Sequence, residues 1–191
     1  MTRHGRESMP AAPDGGAAAR PAVVLVGPPG AGKSVVAALV ARRLGVPLVD
    51  TDAVLAGGAG RGVGELFIDV GEERFRELEH DVVAQVLAQP GVVALGSGAV
   101  EHAGADLERY ARAGGTVVFL DVSLAAGAPR VGLNVPRPVS LGNPRAKFSS
   151  MAAQRRPRYA ASASAVVDTS DLSVEEVAHA VLAELGRPPA P

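Results

Sequence analysis

The residues best suited to chemistry begin at Gly27. Gly27-Pro28-Pro29-Gly30-Ala31-Gly32-Lys33-Ser34 satisfies G-x-x-x-x-G-K-[ST] at every fixed position. In such a loop the glycines let backbone N–H groups turn inward around phosphate oxygens. The helix that follows adds positive potential at its N-terminus, and Lys33 neutralises the β- and γ-oxygens. Gly30, Ala31, Gly32 and Val35 are the expected backbone contacts, and Ser34 is placed to offer a hydroxyl to Mg²⁺. The bland alternative is a glycine-rich turn with an exposed lysine. The motif's position, between an apolar run and a helix, argues against it. ATP with Mg²⁺ is the expected ligand.

Two acids follow in Asp50-Thr51-Asp52. A Walker-B strand would be apolar and end in an acid, but Val92 to Leu95 ends in Gly96-Ser97-Gly98. The acids stand after the second strand instead, which makes large ATPases and GTPases poor fits. Asp50 and Asp52 could merely cap a helix. Beside a phosphate loop the functional reading outweighs that one. Farther on, Arg76 and Arg155 offer planar forks that match a carboxylate bidentately. Arg76 has Glu72, Glu79 and His80 at helical spacing, so a solvated ion-pair face is its competing reading. Arg155 could equally belong to a charged face with Arg156 and Arg158, and Phe67 and Phe75 could be core rather than pocket. His80, His102 and His179 are too scattered to suggest a metal site.

The elements that must position these residues follow from pattern. Ala22 to Val26, Val92 to Leu95, Thr116 to Leu120 and Ala165 to Val167 are short apolar runs, as expected of strands buried on both faces of a parallel sheet. Leu48-Val49 leads a further strand into Asp50. Helices are predicted over 35–44, over Glu72 to Ala88 with Phe75, Leu78, Val82 and Val86 at helical spacing, and over Asn143 to Ala163, where Pro157 should kink or end the helix. A closing helix is predicted from Ser173 to Leu185, with Ser173 and Glu176 as a capping box. Residues 123–142 are too rich in glycine and proline for a long regular element. Strands alternating with helices argue for right-handed βαβ units with helices on both faces.

Composition narrows the classes. The 191 residues suffice for one domain with its own core. We expect a mobile tail over 1–20, a single domain over 21–186 and a short tail over 187–191. The net charge of -1, from 19 basic and 20 acidic residues, offers no nucleic-acid footprint. Lys33 and Lys147 are the only lysines, which makes the one in the loop conspicuous. The chain has no cysteine, so thiol nucleophiles, disulfides and thiolate zinc sites are excluded. No apolar run suits a signal peptide or a membrane span. A cytoplasmic monomer acting on a small molecule is expected.

Over residues 22–185 the ordered motifs resemble the shikimate kinase family. They are the phosphate loop, Asp50-Thr51-Asp52, Gly71-Glu72-x-x-Phe75-Arg76-x-x-Glu79, Gly96-x-Gly98-Ala99-Val100, Arg130, Arg137-Pro138 and Arg155-x-Pro157-x-Tyr159. The resemblance implies an adenylate-kinase-like P-loop fold, a three-layer α/β sandwich on a five-stranded parallel sheet, with a mobile lid over about 123–142. It implies phosphorylation of shikimate at its 3-hydroxyl, in aromatic amino-acid biosynthesis. Lys33, Asp52 and Arg137 would be catalytic, with Arg137 reaching the transferring phosphate from the lid. Asp50 would hold Mg²⁺ through water, together with Ser34. Arg130 would lie near the adenine. Asp52, Arg76, Gly96, Ser97, Gly98, Arg155, Phe67 and Phe75 would bind the acceptor. Two arginines meeting in one cleft would repel each other, and an anionic acceptor would relieve them.

The chain departs from the family pattern at Ser97, where a glycine is usual, at Val35, where a second hydroxyl is usual, and over Asp168-Thr169-Ser170-Asp171, which lacks the usual arginine. Three alternatives stand beside the main reading. One is a kinase for another carboxylated polyol such as gluconate. The second, a nucleoside monophosphate kinase, would need an Asp-Gly-x-Pro-Arg segment that is absent. The third is a nucleotide-binding paralogue without turnover.

Overall fold

The apolar runs become the strands of one parallel sheet because their alternate residues face two separate helical layers. The computed structural model describes residues 20–133 and 143–187. Its strands are β1 (Pro21–Val26), β2 (Leu48–Asp50), β3 (Gly91–Ala94), β4 (Val117–Asp121) and β5 (Ala165–Asp168), in the order β2-β3-β1-β4-β5. Every neighbouring pair is parallel, with Val24 opposite Val93 on one side and Val117 on the other. The helices are α1 (Lys33–Leu44), α2 (Thr51–Ala59), α3 (Val63–Val86), α4 (Gly104–Arg112), α5 (Leu124–Arg130), α6 (Pro144–Ser162) and α7 (Val174–Glu184).

One layer packs Val23, Leu25, Val118 and Leu120 against Val36 and Val40 of α1 and Val177 and Val181 of α7. The opposite layer packs Val24, Val26, Val93 and Phe119 against Val83 of α3, Leu107 of α4 and Tyr159 of α6. Val23, Val24 and Leu25 have no exposed surface, so each contributes on the order of 1.5–3 kcal/mol of burial. A run buried on both sides reads as continuous hydrophobicity rather than alternation.

Several helices lie where no helical pattern was read. Asp50 caps α2, accepting from the N–H groups of Asp52 and Ala53. Helix α3 begins nine residues before Glu72 and breaks at Gly71, whose φ of 78° no other residue type adopts easily. Helix α4 turns Leu107 and Tyr110 inward. In the punctuated segment α5 is only 7 residues long and contains Pro129. The expectation that Pro157 ends α6 is half wrong, because the helix continues to Ser162. Proline forfeits its own N–H bond to the preceding turn, but the turn beyond it is tied down. Tyr159 stacks on Phe119 and donates its hydroxyl to the Ser97 carbonyl at 2.6 Å. At the last helix Ser173 and Glu176 do form a capping box. Among the described residues, no helix is long and apolar enough to cross a membrane.

Candidate active site

The carboxyl ends of β1 and β3 set the site. β1 lies between β3 and β4, and the chain leaves it toward β2 on one side and later returns past it to β4. Such a reversal opens a crevice at the strand ends. The phosphate loop fills that crevice and leads into α1, whose N-cap, Gly32, is left-handed at φ 87°. Gly30 is also left-handed, and a side chain there would strike the Gly127 carbonyl at 2.6 Å, so α5 lies directly on the loop.

An ammonium has three donors, and all three of Lys33 have acceptors: the carbonyls of Gly27 (2.8 Å) and Pro28 (3.1 Å) and the hydroxyl of Ser97 (2.8 Å). Burial brings its pKa down to about 8, while the negative charges of Asp52 and Asp50 oppose that shift. Ser34 donates its hydroxyl to Asp50 Oδ2 at 2.5 Å, while Asp50 Oδ1 accepts from the N–H groups of Asp52 and Ala53. One carboxylate thus caps α2 and meets the loop serine. Hydroxyl and carboxylate oxygens side by side form a hard, all-oxygen donor set that fits Mg²⁺ with most of its waters retained. Asp52 faces the cleft. Desolvation there holds its carboxyl above the ordinary range, Asp50 adds to the rise and Lys33 opposes it.

The loop after β3 packs against these groups. Thr51, fully buried, accepts from the Gly96 N–H at 2.8 Å and donates to the Ala94 carbonyl at 3.5 Å. A Cβ on Gly96 would sit 2.5 Å from Asp52 Oδ1, and one on Gly98 would sit 2.8 Å from Arg76 Nη1. The two glycines therefore make room for Asp52 and Arg76. Arg155 approaches the same loop from α6, donating to the Ser97 carbonyl at 3.5 Å. Both arginine heads thus abut residues 97–98, beside Asp52.

Each arginine also has an acid. Arg76 bonds Glu79 at 2.8 Å and lies 3.7 Å from Glu72, and Arg155 bonds Glu101 at 2.8 Å. Glu79 is buried. Desolvation raises its carboxyl pKa, and Arg76 holds part of that rise back. The Arg76 guanidinium lies over the rings of Phe67 (5.9 Å) and Phe75 (5.5 Å), which meet edge to face. Phe75 is core, packed with Leu55 and Leu66, whereas Phe67 remains 36% exposed.

From Asp52 and Ser97 a cleft of roughly 580 Å³ runs over the phosphate loop to the end of β5. At its far end stand Val35, Val131, Thr169, Leu172 and Val174, with Arg130 alongside. Arg130 ties the walls together, donating to the carbonyls of Gly30, Thr169 and Ser170. Four of these residues are exposed apolar side chains, a suitable slot for a flat heterocycle. Arg137 lies outside the described residues. Pattern reading had missed Thr51, Glu101, Leu172 and Val174, and Tyr159 had stood only as part of a motif. For Thr51 a signal existed, since a threonine between two acids at a strand end is a ready partner for the neighbouring strand's backbone.

The family model described as "Shikimate kinase" matches residues 29–186. The shikimate kinase of Thermobifida fusca is 48% identical over 169 residues, covering 87% of this chain and 95% of that protein. The structure of shikimate kinase from Acinetobacter baumannii in complex with shikimate superposes with a TM-score of 0.74 at 27% identity, covering 87% of this chain and 93% of that one. A gluconokinase from Sinorhizobium meliloti shares the fold, with a TM-score of 0.55 at 20% identity and coverage of 87% and 92%. With a family match across most of its length and close relatives along nearly all of theirs, the chain belongs to the shikimate kinase family.

Proposed function

We propose that this chain transfers the γ-phosphoryl group of ATP to the 3-hydroxyl of shikimate, giving shikimate 3-phosphate and ADP. The observation that carries the reading is the convergence of Asp52, Arg76 and Arg155 on residues 96–98, one hydrogen bond from Lys33. A donor site and a site for a carboxylated polyol are thereby joined through a single loop.

Phosphoryl transfer needs positioning and charge neutralisation more than covalent help. The phosphate loop and Lys33 would hold the β- and γ-phosphates, and the slot near Val35 and Leu172 the base. Ser34 and Asp50 would hold Mg²⁺, which when bound offsets charge on the phosphate oxygens. Arg76 and Arg155 would fix the acceptor's carboxylate and so aim its hydroxyl at the γ-phosphorus. As the new O–P bond forms, the bond to the β–γ bridging oxygen breaks. Asp52 orients the attacking hydroxyl and takes its proton late. Desolvation raises its pKa, which makes its carboxylate a stronger base than an ordinary one. Arg137 is the cation assigned to the transferring group, on the resemblance alone.

The test is ADP release with ATP and Mg²⁺ against shikimate, shikimate carboxamide, gluconate and nucleoside monophosphates. Shikimate should be the productive acceptor. The carboxamide should lose roughly ten- to a hundredfold in kcat/KM, the worth of a hydrogen bond to a charged group. Phosphorylation of the carboxamide as fast as the acid would overturn the assignment of the two arginines. Preference for gluconate would overturn the substrate.

A further inference from the structure

Among the described residues, Lys33 is held from outside its own loop by one contact, the hydroxyl of Ser97. Its other two acceptors, the Gly27 and Pro28 carbonyls, belong to the phosphate loop itself. Ser97 is firmly placed. Its carbonyl accepts from the Tyr159 hydroxyl at 2.6 Å and from Arg155 at 3.5 Å, and Tyr159 is buried against Phe119. The hydroxyl is therefore presented to the ammonium by a backbone anchored from α6. It points to the nucleotide side of the loop.

We propose that the Ser97 hydroxyl is a positioning group that holds Lys33 in a resting pose, and that a nucleotide's β-phosphate must displace it. The ammonium's three donors are all engaged, so a phosphate oxygen can be reached only by giving up an acceptor. The two carbonyls move only if the loop's backbone moves. The serine bond alone can be released without moving backbone, because its hydroxyl swings aside by rotation about one side-chain bond. Each nucleotide that binds thus pays for breaking a charge-assisted bond already made in the empty enzyme. A glycine at this position would make no such bond. The residue therefore trades nucleotide affinity for a lysine already placed at the junction of the two sites.

The proposal rests on the phosphate-loop reading and is tested by calorimetric binding of ADP and AMP to the unaltered chain and to Ser97→Ala, Ser97→Gly and Ser97→Thr, without acceptor. Ser97→Ala and Ser97→Gly should bind ADP roughly ten- to a hundredfold more tightly, the worth of a hydrogen bond to a charged group. Ser97→Thr keeps the hydroxyl and should bind ADP as the unaltered chain does. AMP lacks the β-phosphate and should bind all of them alike. In turnover the acceptor's KM should stay within about twofold, whereas a serine that served as a ring contact would shift it and leave ADP unmoved. Equal or weaker ADP binding by Ser97→Ala overturns the proposal while the loop assignment stands. Failure of the unaltered chain to bind ADP overturns both.

Discussion

Replacing Gly96 by alanine would drive a single methyl group into the atom assigned to the proton. The backbone there is not left-handed, so alanine adopts it without strain. The added Cβ would sit 2.5 Å from Asp52 Oδ1, and its next neighbours, the rest of that carboxylate and Thr51 Oγ1, lie at an ordinary 3.4 Å. The conflict is confined to one oxygen, which must retreat by about 0.9 Å to reach ordinary contact. Asp52 faces the cleft and can rotate away, so the fold loses little. Catalysis loses more, because a misplacement of about 1 Å can cost roughly 10²-fold. Gly96→Ala should therefore lower kcat by about 10²-fold, with the KM for ATP within twofold. The melting temperature should fall by no more than about 2–4 °C, the shift that corresponds to 1 kcal/mol at this size. ADP release at saturating substrates and a thermal melt measure both. The companion Gly98→Ala meets Arg76 Nη1 at 2.8 Å instead and should act chiefly on the acceptor's KM. A kcat for Gly96→Ala within threefold of the unaltered enzyme would refute the placement of Asp52 at the reacting hydroxyl.

Two further outcomes test the scaffold. Gly58 is exposed within α2 with nothing within 4 Å of a would-be Cβ, so Gly58→Ala should stabilise by about 0.5–1 kcal/mol and raise the melting temperature by about 1–4 °C, measured by calorimetry. Burial raises the Tyr159 phenol to about 12 and also raises that of Tyr110, so absorbance at the phenolate band should show neither ring ionising with an ordinary midpoint near 10. Because the folded-state pKa is raised, this contribution to stability is full below pH 10 and is lost as pH climbs toward 12. Tyr159→Phe should show a smaller loss over that window.

How much was legible follows from how far apart the interacting residues are. The strands were readable because each run is apolar on both faces, a property of a few consecutive residues. The phosphate loop was readable for the same reason, since its chemistry is fixed by spacing. Helix α2 was hidden by Gly57 and Gly58, which weaken any local helical signal. The first part of α3 was hidden by the break at Gly71, which divides one amphipathic pattern into two short ones. Pro157 was misjudged because the restraint that carries α6 past it, Tyr159 to Ser97, spans 62 residues. Glu101 was missed for a similar reason, lying 54 residues from its partner Arg155. Glu79, only three residues from Arg76, could be anticipated as the partner of that fork.

The acids beside the arginines change how the proposed acceptor site would work. Two bare guanidinium groups in one cleft would repel each other and draw in any anion, but Arg76 and Arg155 each have a carboxylate at 2.8 Å. With Glu72 a further neighbour of Arg76 at 3.7 Å, two cations and three anions leave no net positive charge to attract a ligand. What remains is unspent donor capacity. A guanidinium has five N–H groups, Arg76 Nε is buried without a partner among the described residues, and the Arg155 contact with Ser97 is long at 3.5 Å. On this view the glutamates hold each fork's orientation so that its open edge faces the acceptor. The two accounts predict opposite signs for Glu79→Gln. If net charge drew the acceptor's carboxylate, removing an anion should tighten binding. If orientation matters, trading an ion pair for a bond in which only the arginine is charged should loosen Arg76 by about 1 kcal/mol and raise the acceptor's KM about fivefold. The KM for ATP should stay unchanged, since the hydrogen-bond partner of Glu79 among the described residues is Arg76 on the acceptor side. Glutamine keeps the shape of the buried side chain, so a thermal melt near that of the unaltered enzyme would assign the effect to the fork. A lower acceptor KM in Glu79→Gln would show that the site works by charge, and that the buried glutamate opposes binding.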